Sequence, residues 1–347
     1  MVGESIDEFT FLKVLGEGGM ASVYRAEDRS FKDNVAIKVL KKEYAHHPNI
    51  RKRFIDEARK LHRMNHPNVI KIRRIIDAGD IVAFVMEEVA GITLHDFVKK
   101  HDKLNDEVIK GLWIQMLDTV KYIHNQGVIH RDIKPSNFMI DDNNNIILLD
   151  FGIAKDTSGS SDYTATGVNQ QMGTPTYMSP EQIRSTKDVG VQSDIYSLGV
   201  VLWFMISKKD PYASQELSLF DLYEKIVNEP LPITNSIWDK VIVNSTKKNI
   251  AQRIDSCESL LNMTKNINLK LDEDDTNSVI EKDVAGDDLG GTNSSNRGYW
   301  TFTSLVFGVW VIVKYGGESK LGIAAIVSGV ISIIYSLSIL FSSKSEE

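Results

Sequence analysis

Three short segments stand in one order along the 347 residues: Val35-Ala36-Ile37-Lys38, then His130-Arg131-Asp132-Ile133-Lys134-Pro135-Ser136-Asn137, then Asp150-Phe151-Gly152. Between them they offer a lysine suited to phosphate oxygens, an aspartate suited to a substrate hydroxyl, and an Asn/Asp pair suited to a metal ion. For these groups to act together, folding has to gather an ammonium, two carboxylates and an amide from distant stretches of chain. That requirement constrains the fold more than any other feature.

The pattern around the segments changes along the chain. Residues 9–15, 23–26, 35–40, 70–77 and 81–86 are short, apolar or β-branched, and bounded by turn residues, which predicts strands. One helical stretch interrupts them at 49–64, with Phe54, Ala58 and Leu61 on one face. After Glu87 helical patterns dominate, at 93–100, 106–126, 191–207, 217–228 and 256–265. The expected fold is therefore α+β and bilobal, an antiparallel sheet with one helix over about 9–87 and a mainly helical lobe over about 88–270. The division falls near residues 87–91.

Composition excludes some classes. A net charge of −7 argues against nucleic acid as a partner, since phosphate-tracking proteins carry a basic excess. The single Cys257 rules out an internal disulfide and a cysteine-based zinc site. Residues 1–10 are polar and carry no signal-peptide core, so the catalytic body is expected to stay in the cytosol.

The motif series resembles the eukaryotic-like (Hanks-type) serine/threonine protein kinases over roughly residues 9–265. The segment Gly16-Glu17-Gly18-Gly19-Met20-Ala21-Ser22-Val23-Tyr24 looks most like their bacterial branch. The resemblance implies an ATP-dependent phosphotransferase acting on protein Ser/Thr hydroxyls, with Mg²⁺, or Mn²⁺ in its place. The rival is a pseudokinase scaffold that binds nucleotide or partners without turnover, disfavoured because Lys38, Asp132, Asn137 and Asp150 are all present.

By that resemblance Gly16, Glu17, Gly18, Gly19 and Met20 form a loop whose backbone N–H groups close over the triphosphate. The family's third glycine is Ala21 here, a change tolerated in a strand but not at positive φ. Val23 and Ala36 resemble residues that pack on the adenine, Met86 the gatekeeper, and Glu87 to Val89 the hinge. Lys38 would bind the α- and β-phosphates and pair with Glu57, 19 residues downstream. Asp56 competes for that role, although its side chain points about 100° away around a helix. Asp132 would serve as base or orienting group, Lys134 would neutralise the moving phosphoryl, and Asn137 and Asp150 would hold the metal.

The segment from Gly173 to Glu181 resembles the family's substrate-docking stretch, with Thr174 near the catalytic aspartate and Glu181 paired with Arg253. Asp194 resembles the aspartate that holds the catalytic-loop backbone, and an ordinary helix N-cap is the alternative. Arg131 beside Asp132 implies a cationic partner for a phosphate on the following loop. Thr164 and Thr166 are the favoured acceptors, modified in trans by a second copy.

Residues 271–298 are rich in Asp, Asn, Ser and Gly and read as a disordered linker. Residues 321–341 form an uncharged run that as a helix would be roughly 30 Å long, enough to span a bilayer core. Residues 300–315 are shorter and carry interfacial aromatics such as Trp300, Trp310 and Tyr315. Joined by a five-residue turn, they predict a transmembrane hairpin over 299–341 with the kinase domain and both termini on the cytoplasmic side of a bacterial plasma membrane.

Overall fold

In the strand Asp33–Leu40 (β4), Val35, Ile37 and Val39 pack into one apolar cluster with Phe9, Phe11 and Val85. Ala36 and Leu40 join a second, larger cluster on the opposite face. This is the period-2 geometry of a strand buried on both sides, and it places Lys38 on the same face as Ala36. The computed structural model describes residues 1–150, 175–185, 189–212 and 217–267.

β4 lies inside a six-stranded antiparallel sheet with Ser5–Ile6 (β1), Phe9–Glu17 (β2), Ala21–Asp28 (β3), Ile72–Ala78 (β5) and Ile81–Glu87 (β6), in the order β1-β2-β3-β4-β6-β5. After β4 come a single turn, Lys42–Ala45 (α1), and the helix Pro48–Arg63 (α2). Proline at the start of α2 has no N–H to leave unsatisfied. Phe54, Ile55, Ala58 and Leu61 bury one face of α2, which packs against β5 and β6 and carries the buried Glu57 among them.

The second lobe is built on Val191–Ser207 (α6). Ser193 to Met205 of this helix are all buried, the pattern of a helix surrounded by protein. Around it lie Leu94–Lys100 (α3), Asp106–Asn125 (α4), Pro180–Arg184 (α5), Leu219–Asn228 (α7), Asp239–Ser245 (α8) and Cys257–Lys265 (α9). A small sheet of Ile92–Thr93 (β7), Phe138–Ile140 (β8) and Ile146–Leu148 (β9) faces the first lobe. The lobes join through residues 88–91. There Gly91 runs so close to β8 that an added Cβ would stand 2.1 Å from the Ile140 carbonyl oxygen.

A second join matters for the site. Ile70 N–H donates to the Leu148 carbonyl (3.0 Å) and Leu148 N–H to the Asn68 carbonyl (2.8 Å), so the chain entering β5 pairs in parallel with β9. Asp150, two residues beyond Leu148, is thereby delivered to the boundary between the lobes.

The bilobal α+β expectation holds. Three helix starts shift by one or two residues because Thr93, Ser218 and Ser256 act as N-caps, each accepting a bond from a backbone N–H further on, while α4 begins at Asp106 as expected, capped by Asn105. The strand expected from residue 70 begins at Ile72, since 68–70 are engaged with β9. Among the described residues no helix is long and apolar enough to cross a membrane. The linker and hairpin expected over 271–341, together with Phe151, Gly152, Thr164, Thr166 and Thr174, lie outside the described residues.

Candidate active site

Lys38 sits opposite Val23 on β3 and Phe84 on β6, with its ammonium 5.5 Å from the Phe84 ring centroid. Its Nζ lies 3.1 Å from Glu57 Oε1 and 2.9 Å from Asp150 Oδ1. Three sequence-distant groups thus meet at one point. Burial works against the charge on Lys38, but the Asp150 and Glu57 carboxylates outweigh it and hold the amine protonated well above its usual range. Burial pushes the Glu57 carboxyl up, to about 7, against the pull of Lys38. Asp56, the competing candidate, is turned to Arg59 at 3.2 Å.

On the other side of the boundary, the loop from His130 to Asn137 is held by its own backbone. Both oxygens of the buried Asp194 accept from it: Oδ2 from His130 N–H and Oδ1 from Arg131 N–H, each at 2.8 Å. Asp194 Oδ2 also lies 2.8 Å from His124 Nε2. Since α6 starts at Val191 with Gly190 as its N-cap, Asp194 is inside the first turn, and the N-cap alternative does not apply. His130 accepts a bond from Asp132 N–H at Nδ1 (3.2 Å), and burial lowers its pKa, so the imidazole is neutral. Arg131 adopts φ +65°, a conformation costly for a residue with a side chain. Its carbonyl is gripped by Gln182 Nε2 at 2.9 Å.

This bracing fixes three side chains. Lys134 Nζ lies 2.8 Å from Asp132 Oδ2. Asn137 Nδ2 donates to the Asp132 carbonyl (2.7 Å) and to Asp132 Oδ2 (3.1 Å). Both bonds use the amide nitrogen, which leaves the Asn137 oxygen as an acceptor for another partner. The Asn137 carbonyl takes the Leu149 N–H at 2.9 Å, so the loop is tied to the strand that presents Asp150.

Glu181 and Arg253 form a bidentate pair, 2.6 and 3.0 Å, with Ser193 Oγ donating to the same carboxylate at 2.6 Å. Arg253 also donates to the Gln192 carbonyl (2.7 Å) and the Lys247 carbonyl (2.9 Å). Burial would raise the Glu181 pKa, but the Arg253 and Ser193 bonds reverse the sign and hold it below the usual carboxylate range.

In the glycine hairpin, Gly16 pairs with Val23 and Glu17 with Ser22, while Gly18 N–H donates to the Ala21 carbonyl at 2.9 Å. Ala21 is the first residue of β3, the strand conformation in which alanine replaces glycine without strain. Met20, Ala21, Val23 and Val89 pack against the cluster containing Ala36 and Met86. Glu87 closes β6 and its N–H donates to the Lys71 carbonyl (3.1 Å). Gly19 lies in the turn between β2 and β3.

The sequence reading missed the bracing residues His124, Gln182 and Ser193. Only Gln182 carried a legible signal: Ser179 and Gln182 form a capping box at the start of α5, the Ser-x-x-Gln pattern.

Comparison with known proteins agrees with this geometry. A family model described as the protein kinase domain matches residues 9–270. The serine/threonine-protein kinase PrkC of Bacillus subtilis is 32% identical over 269 residues, which cover 75% of this chain and 40% of that protein. The serine/threonine-protein kinase PknB of Mycolicibacterium smegmatis is 34% identical over 233 residues, 65% of this chain and 36% of that one. This chain therefore spans well under half the length of those relatives. The crystal structure of the M. tuberculosis PknI kinase domain superposes with a TM-score of 0.59 at 21% identity, over 76% of this chain and 97% of that one, a likeness of fold. The match over 9–270, on a bilobal fold that assembles the Lys38–Glu57–Asp150 cluster, establishes that the chain belongs to the protein kinase domain family.

Proposed function

We propose that this protein is an ATP-dependent serine/threonine protein kinase, held at a membrane by its C-terminal apolar hairpin. The observation that carries the reading is the lysine bridging Glu57 and Asp150 at 3.1 and 2.9 Å, with the Asp132–Lys134–Asn137 triad on the neighbouring loop. In phosphoryl transfer the protein's work is positioning and charge stabilisation, and each of these groups has a part.

Lys38, kept cationic and anchored by Glu57, would bind nonbridging phosphate oxygens of the nucleotide. Asp132 would accept a hydrogen bond from the attacking Ser or Thr hydroxyl and align it with the γ-phosphorus. Lys134, already beside Asp132, would offset negative charge on the phosphoryl group in flight. Asn137 and Asp150 supply one amide and one carboxylate oxygen, the donor number and hardness that suit Mg²⁺, or Mn²⁺, completed by phosphate oxygens. A metal bound there would neutralise the polyphosphate. The backbone of residues 16–20 would cover the phosphates, and Val23, Ala36, Met86 and Val89 would enclose the base.

Replacing Asp132 by Asn keeps the loop's shape and removes the carboxylate charge that would orient the hydroxyl and take its proton, so phosphate transfer should fall by at least about 10²–10⁴-fold. The assay is incorporation of label from γ-labelled ATP into Ser or Thr of the full-length chain. Transfer at near wild-type rate by the Asp132→Asn protein would refute the role and favour the pseudokinase reading.

Partners follow from the same reading: proteins with Ser/Thr acceptors, no nucleic acid, and a second copy that phosphorylates Thr164 or Thr166 in trans, Arg131 receiving the phosphate. Thr174 would sit near the bound acceptor. The membrane assignment rests on the uncharged run at 321–341 and the aromatic-flanked run at 300–315. The kinase domain's need for ATP would put it, and with it both termini, on the cytoplasmic side of a bacterial plasma membrane. Release of the chain from membranes by alkaline carbonate would contradict the membrane assignment.

A further inference from the structure

The cleft-facing side of the first sheet can be read row by row. On β3, Tyr24 and Ala26 pack into the outer cluster with Phe9 and Phe11, whereas Val23 packs toward the lobe-spanning core. Strand alternation therefore sends Arg25, two residues past Val23, to the same face as Val23. Its cross-strand partner is Ala36, and that of Ala36 is Met86. Arg25, Ala36 and Met86 thus form one row, next to the row of Val23, Lys38 and Phe84.

An arginine is an odd residue in a row of base-enclosing apolar side chains. It does not turn away into solvent alone: its Nε donates to Glu88 Oε2 at 2.9 Å, and both side chains are partly buried. Glu88 is the first residue after β6, in the connection between the lobes. The pair therefore ties the strand that follows the glycine hairpin to that connection across 63 residues of sequence. Ala36, the cross-strand neighbour of Arg25, carries only a methyl group.

We propose that Arg25 is a positioning residue for the purine base: clamped by Glu88, it fixes residues 88–91 and lays the plane of its guanidinium against the face of the bound base at the outer rim of the pocket. A planar guanidinium can stack against a heteroaromatic ring, which an ammonium cannot do. The inference rests on the reading of the cleft as a nucleotide site and deepens it, by adding a charged rim residue that the resemblance does not supply. Because Arg25 acts on the base, its contribution should be equal for adenosine and for ATP and absent for inorganic triphosphate.

The test is calorimetric titration of the purified full-length chain with adenosine, Mg·ATP and inorganic triphosphate. It compares wild type, Arg25→Met, Arg25→Lys and Glu88→Gln, with melting temperature as a check on folding. Arg25→Met should weaken adenosine and ATP by the same factor, roughly fivefold to tenfold, and leave triphosphate unchanged. Arg25→Lys, which keeps charge and stem but loses the plane, should recover part of the loss, and Glu88→Gln should weaken adenosine and ATP alike. In kinetic assays the KM for ATP should rise while transfer at saturating ATP persists. Unchanged adenosine affinity in Arg25→Met, or a loss confined to ATP, overturns the inference while leaving the nucleotide site standing. Failure of the wild type to bind any of the three ligands overturns the nucleotide reading, and the inference with it.

Discussion

Arg253→Met is the substitution whose cost can be worked most directly from the structure. The Arg253 side chain is 0% exposed and Glu181 6%, so the pair is removed from water. Methionine would keep most of the packing of the arginine stem but remove both Arg253 donors to the Glu181 carboxylate, leaving it the Ser193 hydroxyl and its own backbone N–H. A carboxylate left buried without its cation costs about 3–5 kcal/mol. In a domain of this size each kcal/mol lowers the melting temperature by about 2–4 °C, so the expected drop is roughly 6–20 °C. Thermal unfolding of the full-length chain, followed by circular dichroism, measures it. Coupling to Glu181→Gln in a double-mutant cycle should exceed about 1 kcal/mol, because the two groups are in direct contact.

The pH dependence provides an independent sign. The Glu181 carboxyl is held below its ordinary value, so the stabilisation it brings is complete above that value and is lost as pH falls through the depressed one. In Arg253→Met burial is no longer offset by the guanidinium and raises the Glu181 carboxyl instead, so the gap between wild type and variant should be widest in alkaline solution and narrow steadily as pH falls, first as the variant takes up its proton and finally as pH reaches the depressed wild-type value. A variant that melts within about 2 °C of wild type at pH 7, less than the smallest expected shift, would refute the reasoning.

Two further outcomes are expected. Glu57 titrates near 7, raised from 4.5, so its contribution to stability is complete below 4.5 and declines as pH rises to 7. Its function runs the other way, because only the ionised form holds Lys38: the KM for ATP should rise as pH drops below 7, and a Glu57→Gln enzyme should show a high KM without that limb. Gly199→Ala would place a Cβ 2.2 Å from Ser245 Oγ, forcing α6 and α8 apart at a cost of about 1–3 kcal/mol, seen as a lower midpoint in urea.

Much of the first lobe was legible because its strands alternate cleanly. The 35–40 segment divides into two buried faces, and only one register puts Lys38 in the cleft. The long helices were legible from their 3.6-residue period, and α6 from its nearly continuous apolar run. Helix α8 was not, because Val241-Ile242-Val243 has the composition of a strand. What makes it a helix is tertiary: it packs closely on α6 where Gly199 leaves room. Strands β7 and β8 were too short to show a period.

At the site, the sequence indicated which residues have the right chemistry but not how they are held. The helix phase already favoured Glu57 over Asp56, and the role of Asp194 was legible by resemblance, but which backbone N–H groups it accepts from, those of His130 and Arg131, needed the fold. His124, Gln182 and Ser193 act through backbone and side-chain partners 12 to 70 residues away, a relation that local patterns do not encode.

The most direct test of the central claim is a titration of the purified full-length chain with Mg·ATP, set beside Asp150→Ala. If Lys38, Asp132, Asn137 and Asp150 form one phosphoryl-transfer site, the wild type binds saturably below about 1 mM, and Asp150→Ala loses the magnesium dependence of that binding. A wild-type chain that takes up no nucleotide at several times that concentration, or an Asp150→Ala chain that binds Mg·ATP as well as wild type, would contradict it.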